Sequence, residues 1–331
     1  MLRRYRGVCL GLVGLLLSFQ VSAAVLRIAT LSPDGSTWMQ TLRSAAADIK
    51  QRTAGRVDFR FYTGGTMGND RTVLSKIRLG ELQGGALTAS SLDAYVHDLD
   101  LYSLPMLFDN FAAVDRARKV MDPWLSRQLE DAGWVNFGFA EGGFAYMMSR
   151  QAPITSLDQL RLHKVWIPEG DRFSATALSA FHVTPVPLSL GDVLPGLQTG
   201  IIDVVACSPI GALALQWQTQ VHQMTDLPMS YFTGVIVIAK RDFDRLSPAD
   251  QVVVRSVMTQ AFHTLDMHNR QDNLGAYQAL VNQGMHVVHP DAAQQSQWKE
   301  ASQQAVAVLQ AQGLVTAAGL SRIRSALAAH P

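Results

Sequence analysis

The residues best suited to chemistry stand where the strands of the sequence are predicted to end. These segments are rich in aromatic rings, hydroxyl groups and glycines, and they cover residues 31–38, 63–70, 88–91, 141–146, 166–172, 188–190 and 207–210. In an open parallel sheet, ligands bind outside the carboxyl ends of the strands. Many apolar and hydroxyl groups with few ionic ones are typical of a cleft for a small molecule.

These segments supply the candidate ligand-binding residues. The candidates are Trp38, Asn69, Asp70, Thr88, Glu141, Tyr146, Trp166, Glu169, Arg172, Leu190, Cys207 and Ser208. The stretch "LHKVWIPEG", residues 162–170, contains the sharpest alternative, because Trp166 stands at the end of a short predicted strand. A large ring at that place either packs in the core or forms a wall of the binding site.

Catalytic motifs do not appear in the sequence. It has no GxxxxGK[ST], GxSxG or HExxH motif and no paired CxxC. The glycine-rich "GGTMGN" at 64–69 lacks the spacing of a dinucleotide site, and the histidines do not form the converging set that zinc requires. Cys207 has no histidine near it in the sequence and is expected to be a small buried side chain. We therefore predict no enzyme, no cofactor and no metal.

The first residues, "MLRRYRGVCLGLVGLLLSFQVSAAV", have the pattern of a secretory signal peptide. A basic start precedes an apolar run and then a site of small residues before Ala24. The apolar run is shorter than the ~20 residues that span a bilayer. We expect residues 1–23 to be a cleavable signal peptide and the protein to be located in the periplasm.

The composition excludes some partners and bounds the architecture. Lysine and arginine number 28 against 27 aspartate and glutamate, so there is no basic field for nucleic acid. Without the signal peptide only Cys207 remains, so no disulfide is possible within the chain. A chain of this length buries a large core and usually divides into two lobes.

The elements that must position the strand ends alternate along the chain. "VLRIATLSP", "VDFRFYTGG" and "GGALTASSL" are predicted strands, and helical patterns lie between them, the first with Ser36 as N-cap and Gly55 as its end. The apolar run "IIDVVACSP" is typical of a parallel strand covered on both faces. The alternation predicts α/β lobes with mainly parallel sheets, followed from about Phe243 by helices.

Several segments resemble one family. "MGNDRTVLSKIRLGEL", "LDLYSLPMLFDN", "PITSLDQLRLHKVWIP" and above all "VTPVPLSLGDVLPGLQTGIIDVVACSP" resemble the solute receptors of tripartite ATP-independent periplasmic (TRAP) transporters, in the dicarboxylate-receptor group. The resemblance extends from about Leu26 to beyond Tyr231. It implies a ligand enclosed between two hinged lobes, delivery to integral membrane subunits driven by an ion gradient, and neither catalysis nor a cofactor.

The resemblance implies a type II periplasmic binding protein with the following division. Lobe 1 would contain 24–145 and about 232–265, lobe 2 about 146–231, and helices at about 266–331 would pack across both. We expect closure of the lobes about hinge-crossing strands to enclose the ligand.

The sequence departs from this family at Trp166. Most such receptors have an arginine there that binds the ligand carboxylate, and a second basic position of some members falls at Tyr146. An asparagine frequent in the family falls at Cys207 or Ser208. Three hypotheses follow: an organic acid held by Arg172 or by backbone donors, a neutral or aromatic solute stacked on Trp166 and Tyr146, or a cation near Glu141 or Glu169.

Two other functions are compatible with the sequence. The same fold could present a ligand to a sensor kinase, and a periplasmic enzyme could use Cys207. From its place at a strand end, we also expect Trp166→Ala to weaken ligand binding and leave the fold intact.

Overall fold

A computed structural model of the protein describes residues 23–329. The predicted signal peptide therefore lies outside the described residues, except for Ala23. The strands are β1 (Ala24–Thr30), β2 (Val57–Tyr62), β3 (Gly84–Thr88), β4 (Trp134–Ser149), β5 (Trp166–Pro168), β6 (Val186–Leu188), β7 (Val204–Cys207), β8 (Gln223–Thr225), β9 (Ser230–Ala239) and β10 (His286–Val288).

Helices fill most of the remaining chain. They are α1 (Thr37–Arg52), α2 (Asp70–Leu79), α3 (Phe111–Asp131), α4 (Leu157–Leu160), α5 (Arg172–Ala180), α6 (Val193–Thr199), α7 (Pro209–Ala214), α8 (Lys240–Phe243), α9 (Pro248–Asn282), α10 (Ala292–Ala311) and α11 (Ala317–Ala328). Short 3-10 helices cover Ala89–Leu92, His97–Ser103, Leu190–Asp192 and Trp217–Thr219. None of the helices within 23–329 is long and apolar enough to cross a membrane.

Local signals explain the first helix. The Ser36 hydroxyl accepts a hydrogen bond from the Met39 amide at 3.3 Å, so it caps α1 as the sequence predicted. Met39, Leu42 and Ile49 follow at helical spacing and are fully buried. The chain leaves the helix through Gly55, whose φ of 78° is easy only for glycine.

The main sheet has the strand order β10-β8-β4-β9-β3-β1-β2, with β7 also paired to β4. The pairs β1–β2, β1–β3 and β8–β10 are parallel, whereas β9 is antiparallel to both β3 and β4. The prediction of mainly parallel sheets is therefore only partly right. In particular, β7 is antiparallel to β4. A strand covered on both faces is equally apolar in either direction, so its sequence pattern does not determine its direction.

The long strand β4 divides the protein into two lobes. Its residues from Trp134 to Ala145 pair with β9, beside β1, β2 and β3, and form part of the first lobe. Its end, from Tyr146 to Ser149, pairs with β7 and β8 in the second lobe. The register of β4 against β9 shifts between Glu141 and Gly143, which is where the strand passes from one lobe towards the other.

Hydrophobic clusters lie on both faces of the first-lobe sheet and in the second lobe. On one face α1 and the first half of α9 cover the sheet, and on the other α3 and α11 lie above it. The second lobe packs around Met148, Val205 and Trp217. The helix α9 also contacts α7, so this 35-residue helix joins the two lobes.

Candidate functional site

A cleft lies at the carboxyl ends of β1 and β3, beside the crossing strands β4 and β9. Its volume is about 180 Å³. The residues that line it are Thr30, Leu31, Ser32, Trp38, Asp70, Ala86, Leu87, Thr88, Gly142, Phe232, Thr233 and Gly234. The predicted candidates Trp38, Asp70 and Thr88 are brought together here, and all of these lining residues belong to the first lobe or to β4 and β9.

The polar centre of the cleft is the pair Asp70 and Thr88. Asp70 Oδ2 accepts hydrogen bonds from the Thr88 amide at 3.1 Å and from Thr88 Oγ1 at 2.9 Å. Burial raises the pKa of Asp70, and the hydrogen bonds from Thr88 and Ser91 only partly oppose this rise. Asp70 is the first residue of α2 and Thr88 the last of β3, so two successive elements of the chain converge on one carboxylate.

Trp38 forms an aromatic wall of the cleft. Its ring lies against Gly234 of β9, where a Cβ atom would come within 2.6 Å of the indole. On another side the ring meets Phe262 of α9 edge to face, with ring centroids 5.8 Å apart. The absence of a side chain at residue 234 thus lets an aromatic residue of α1 lie directly on the crossing strand.

Asn69 lies next to Asp70 but performs a local task. Its side-chain oxygen accepts from the Thr72 amide and from Thr72 Oγ1, both at 2.9 Å, and thereby caps α2. The Asn69 side-chain oxygen is therefore engaged in capping α2, the helix that begins at Asp70.

Trp166 lies in the packed interior of the second lobe. It is 8 % exposed, and its indole nitrogen donates to the Leu188 carbonyl at 3.1 Å across the β5–β6 pair. Its ring meets Trp217 edge to face with centroids 5.2 Å apart. Most of the ring surface is packed in the core, and its single N–H donor is bonded to Leu188. The structure therefore favours the first alternative for this ring, core packing.

Other second-lobe candidates surround the same interior. Tyr146 of β4 pairs in register with Cys207 of β7 and packs edge to face on Tyr277, and Leu190 is partly buried in the same cluster. Burial raises the pKa of the Cys207 thiol to about 12. A thiol that stays protonated is a poor nucleophile, so the alternative of an enzyme using Cys207 has no support.

Ser208, Glu169 and Arg172 lie at helix starts and turns of the second lobe. The Ser208 hydroxyl caps α7 by accepting from the Gly211 amide at 3.3 Å. Glu169 and Arg172 are exposed on the segment between β5 and α5. Between them, the Gly170 carbonyl accepts from Arg71 of α2 at 3.3 Å, so this segment touches the first lobe.

Glu141 lies in a buried ionic network and not on a cleft wall. Its side chain is 0 % exposed and pairs with Arg270 of α9 at 2.8 Å. Arg270 also makes a two-pronged contact with Asp115 of α3, at 2.8 and 3.0 Å. Burial raises the pKa of Glu141, against the hydrogen bond from Arg270 that lowers it.

A second arginine, Arg118, extends this ionic network. We term the ion pairs of Arg118 and Arg270 with Asp115, Asp122, Glu141 and Asp266 the hinge network. Arg118 of α3 donates to Asp266 of α9 at 2.6 Å and to the Phe139 carbonyl at 2.6 Å. Asp266 in turn accepts from the Glu141 amide at 2.8 Å. Side chains of two helices therefore hold the backbone of β4 where its register shifts.

Sequence reasoning missed the hinge network and the β9 side of the cleft. The network has a visible pattern, because Asp266, Asn269, Arg270 and Asn273 recur at helical spacing as a polar stripe on α9. Asn269 donates to the Glu141 carbonyl at 2.7 Å and Asn273 to the Gly142 carbonyl at 3.3 Å. For β9, the sequence does contain one indication. Gly234 lies inside an apolar strand, and a glycine at such a place often marks a site where another group packs closely on the backbone.

A larger cavity of about 390 Å³ lies elsewhere, between residues 104–109 and the helices α10 and α11. Its lining includes Lys299, Ser302 and Arg324 but none of the predicted candidates. The smaller cleft remains the candidate functional site, because it lies at the strand ends and beside the strands that join the lobes.

Comparisons with known proteins agree on one family. Residues 28–312 match the family model DctP, described as bacterial extracellular solute-binding protein, family 7. The C4-dicarboxylate-binding periplasmic protein DctP of Rhodobacter capsulatus is 25% identical over 258 residues, which cover 75% of this chain and 75% of that protein.

Solved structures share the fold. A TRAP periplasmic solute-binding protein from Xanthobacter autotrophicus with bound β-D-galacturonate has a TM-score of 0.83 at 18% identity, covering 92% of this chain and 100% of that one. Another from Ralstonia eutropha, with bound (S)-2-acetolactate, has a TM-score of 0.84 at 20% identity, covering 93% and 99%. The predicted two-lobe α/β fold is thus confirmed.

Proposed function

The chain belongs to the DctP family of bacterial extracellular solute-binding proteins, family 7, and we propose that it binds its solute in the cleft at the ends of β1 and β3. Members of this family are receptors and not enzymes. The observation that carries the proposal is the convergence of Trp38, Asp70 and Thr88 on one cavity beside the crossing strands. The cleft combines apolar walls with a small number of polar groups, as small-molecule sites do.

Occlusion of the cleft tests this proposal. Ser32 lines the cavity from the loop after β1, so Ser32→Phe should fill it with little effect on the fold. Melting curves against a solute panel of all charge classes should show binding in the wild type and its loss in Ser32→Phe. The control is Gln40→Phe, an exposed position of α1 outside the cleft. Undiminished binding by Ser32→Phe would place the solute elsewhere.

We further propose that the two lobes close on the solute. Lobe 1 would comprise 24–145 and about 232–265, lobe 2 about 146–231, and residues from about 266 would pack across both. The path of β4 through both lobes supports a hinge near Glu141 to Gly143. In this scheme Tyr146 and the exposed Glu169 complete the site from lobe 2 on closure.

Delivery to membrane subunits of a TRAP transporter is the remaining part of the proposed function. The family match and the resemblance of the sequence support it. Uptake of the bound solute into vesicles containing the membrane subunits should require both this receptor and an ion gradient. Uptake that is equal without the receptor would contradict the proposal.

Export to the periplasm is proposed from residues 1–23. Expression of the full chain in a Gram-negative host should yield a periplasmic protein whose mass corresponds to a start at or near Ala24. A full-length protein retained in the cytoplasm would show that this segment is not a cleaved signal peptide.

A further inference from the structure

Among residues 23–329, those that line the cleft supply one carboxylate and no positive charge. Asp70 is partly exposed beside the hydroxyl groups of Thr30, Ser32, Thr88 and Thr233. No lysine, arginine or histidine lines the cavity among the residues that the structure describes. The donors that reach the Asp70 carboxylate are neutral, and burial raises its pKa without an opposing cation.

The neighbouring acidic residues also lack an ion-pair partner in the described part of the chain. Ser91 contacts Asp70, and Ser90, next to it in the same 3-10 helix, contacts Asp100. Asp100 is 1 % exposed, and its Oδ1 has no hydrogen-bond partner among the described residues. Burial, and then the nearby charges of Asp171 and Asp93, raise the pKa of Asp100 well above its usual range. Asp171 belongs to the second-lobe segment that touches α2 through Gly170.

The hinge network shows how this protein otherwise treats acidic residues. Asp115 and Glu141 pair with Arg270, and Asp122 and Asp266 pair with Arg118. In contrast, none of Asp70, Asp93, Asp100 and Asp171 forms an ion pair within residues 23–329. The acidic residues at the cleft and its margin are therefore held without a counter-charge, unlike those of the hinge network.

Groups that would bind an anion are engaged elsewhere or lie away from the cavity. Arg71, next to Asp70 in the sequence, donates to the Gly170 carbonyl. The Trp166 indole nitrogen donates to the Leu188 carbonyl. Arg172 is exposed on the second lobe and does not line the cleft. A carboxylate entering beside Asp70 would meet like charge without a compensating cation.

We infer that the solute bears a positively charged group, an ammonium, amidinium or guanidinium, which enters the first-lobe half of the cleft and pairs with Asp70. This inference rests on the proposed function and names its ligand class. A cation supplies the missing counter-charge, and hydrogen bonds to an ionised acceptor are about twice as strong as neutral ones. The face of Trp38, on the wall of the same cavity, also attracts a cation.

The test uses solutes of equal length and different charge. Putrescine, 1,4-butanediol and succinate have the same four-carbon chain and are cationic, neutral and anionic. They are compared within a wider panel of amines, amidines, sugars, polyols and carboxylates, including D-galacturonate, by thermal shift and then by calorimetry. We expect the binding solutes to be cations or zwitterions with a free cationic group, and to bind more weakly as salt rises.

Variants identify the counter-charge. Asp70→Asn keeps the size of the side chain and should weaken binding of the best cationic probe by about tenfold to a hundredfold. Asp48→Asn, on the exposed face of α1, is the matched control and should bind as the wild type does.

Each contrary outcome has a definite meaning. Binding confined to carboxylates or to neutral solutes, or loss of carboxylate binding in Arg172→Ala, would overturn the cationic class while the receptor function stands. A panel in which no solute of any charge raises the melting temperature would contradict the proposed function as well. Should Asp70→Asn fail to fold, the comparison of putrescine, 1,4-butanediol and succinate on the wild type still decides between the classes.

Discussion

At the scale of single residues, burial changes what Trp166 does. The sequence placed it at a strand end, where it was expected to contact the ligand. The structure commits its nitrogen to Leu188 and its ring to Trp217. An aromatic residue at the position of a family arginine therefore stabilises the second lobe, and the charge that the arginine would supply is not replaced in the cleft lining.

The earlier expectation for Trp166→Ala changes accordingly. Removing the ring should leave a cavity and cost about 3 to 5 kcal/mol of unfolding free energy. Trp166→Phe should cost about 1 to 3 kcal/mol, because the smaller ring leaves space beside Trp217 and the Leu188 carbonyl keeps only one of its two donors, the Glu169 amide. Urea unfolding of both variants measures the loss of unfolding free energy. The control is Leu162→Ala, at a side chain that is 84% exposed. A stable Trp166→Ala that only loses affinity would restore the first expectation.

Cys207 provides a pH prediction. Its pKa is raised to about 12 in the folded protein by burial, whereas an unfolded thiol titrates near 8.5, about the usual value. The unfolded chain therefore loses the proton first, so this thiol's contribution to stability is full below the unfolded pKa and is lost as the pH rises towards the folded value.

The comparison with Cys207→Ala isolates this effect. Between about pH 8 and about pH 10, the wild type should lose more unfolding free energy than Cys207→Ala does, because only the wild type carries the shifted thiol. Denaturant titrations at each pH measure the difference. Parallel losses in the two proteins would mean that the Cys207 thiol ionises in the fold as easily as in the unfolded chain.

At the scale of elements, β4 depends on α9. The strand shifts register at Gly143, whose φ of 96° is in the left-handed region. A Cβ atom there would lie 2.6 Å from the Asn273 amide nitrogen, which binds the Gly142 carbonyl. The polar stripe of α9 thus stabilises an irregular strand segment whose backbone groups lack regular partners.

Gly143→Ala tests this dependence. The strained φ costs about 1 to 2 kcal/mol, and displacement of Asn273 adds to it. The matched control is Gly275→Ala on α9, which meets nothing within 4 Å and should gain about 0.5 to 1 kcal/mol from helix propensity. Urea unfolding should move the two midpoints in opposite directions. Equal stability of Gly143→Ala and the wild type would show that the bulge tolerates a side chain.

At the scale of the whole molecule, the lobes are joined by β4, β9 and α9 and also touch at Arg71 and Gly170. The hydrogen bond from Arg71 to the Gly170 carbonyl lies away from the crossing strands, so it can form only when the lobes are close together. It therefore stabilises that arrangement of the lobes. Removing it should shift the ligand-free protein towards more separated lobes.

Arg71→Ala is the corresponding variant, with Arg78→Ala on the same helix as the control. Spin labels at Asp48→Cys and Leu162→Cys, both exposed and on different lobes, report the distance by double electron–electron resonance. The buried Cys207 should remain unlabelled. We expect a longer mean distance in Arg71→Ala than in Arg78→Ala. Identical distance distributions would show that this contact does not hold the lobes together.

The fold class, the family and the residues that stand at the ends of the first-lobe strands follow from the amino-acid sequence alone. Caps, glycines and apolar spacing are local, so the Ser36 cap and the turn at Gly55 that follows α1 were predictable. Asp70 and Thr88 were also predictable, since parallel strands of successive βα units end at the same edge.

The contacts of Trp166 and Glu141 and the direction of β7 depend on segments that are distant in the chain. Whether a ring at a strand end faces a cleft or Trp217, and whether a carboxylate pairs with Arg270 far along the chain, depends on packing between distant segments. The direction of β7 depends on its partner β4, because apolarity records burial and not orientation. The unpaired charge of Asp70 emerged the same way, since a counter-charge is visible only when neighbours in space are known.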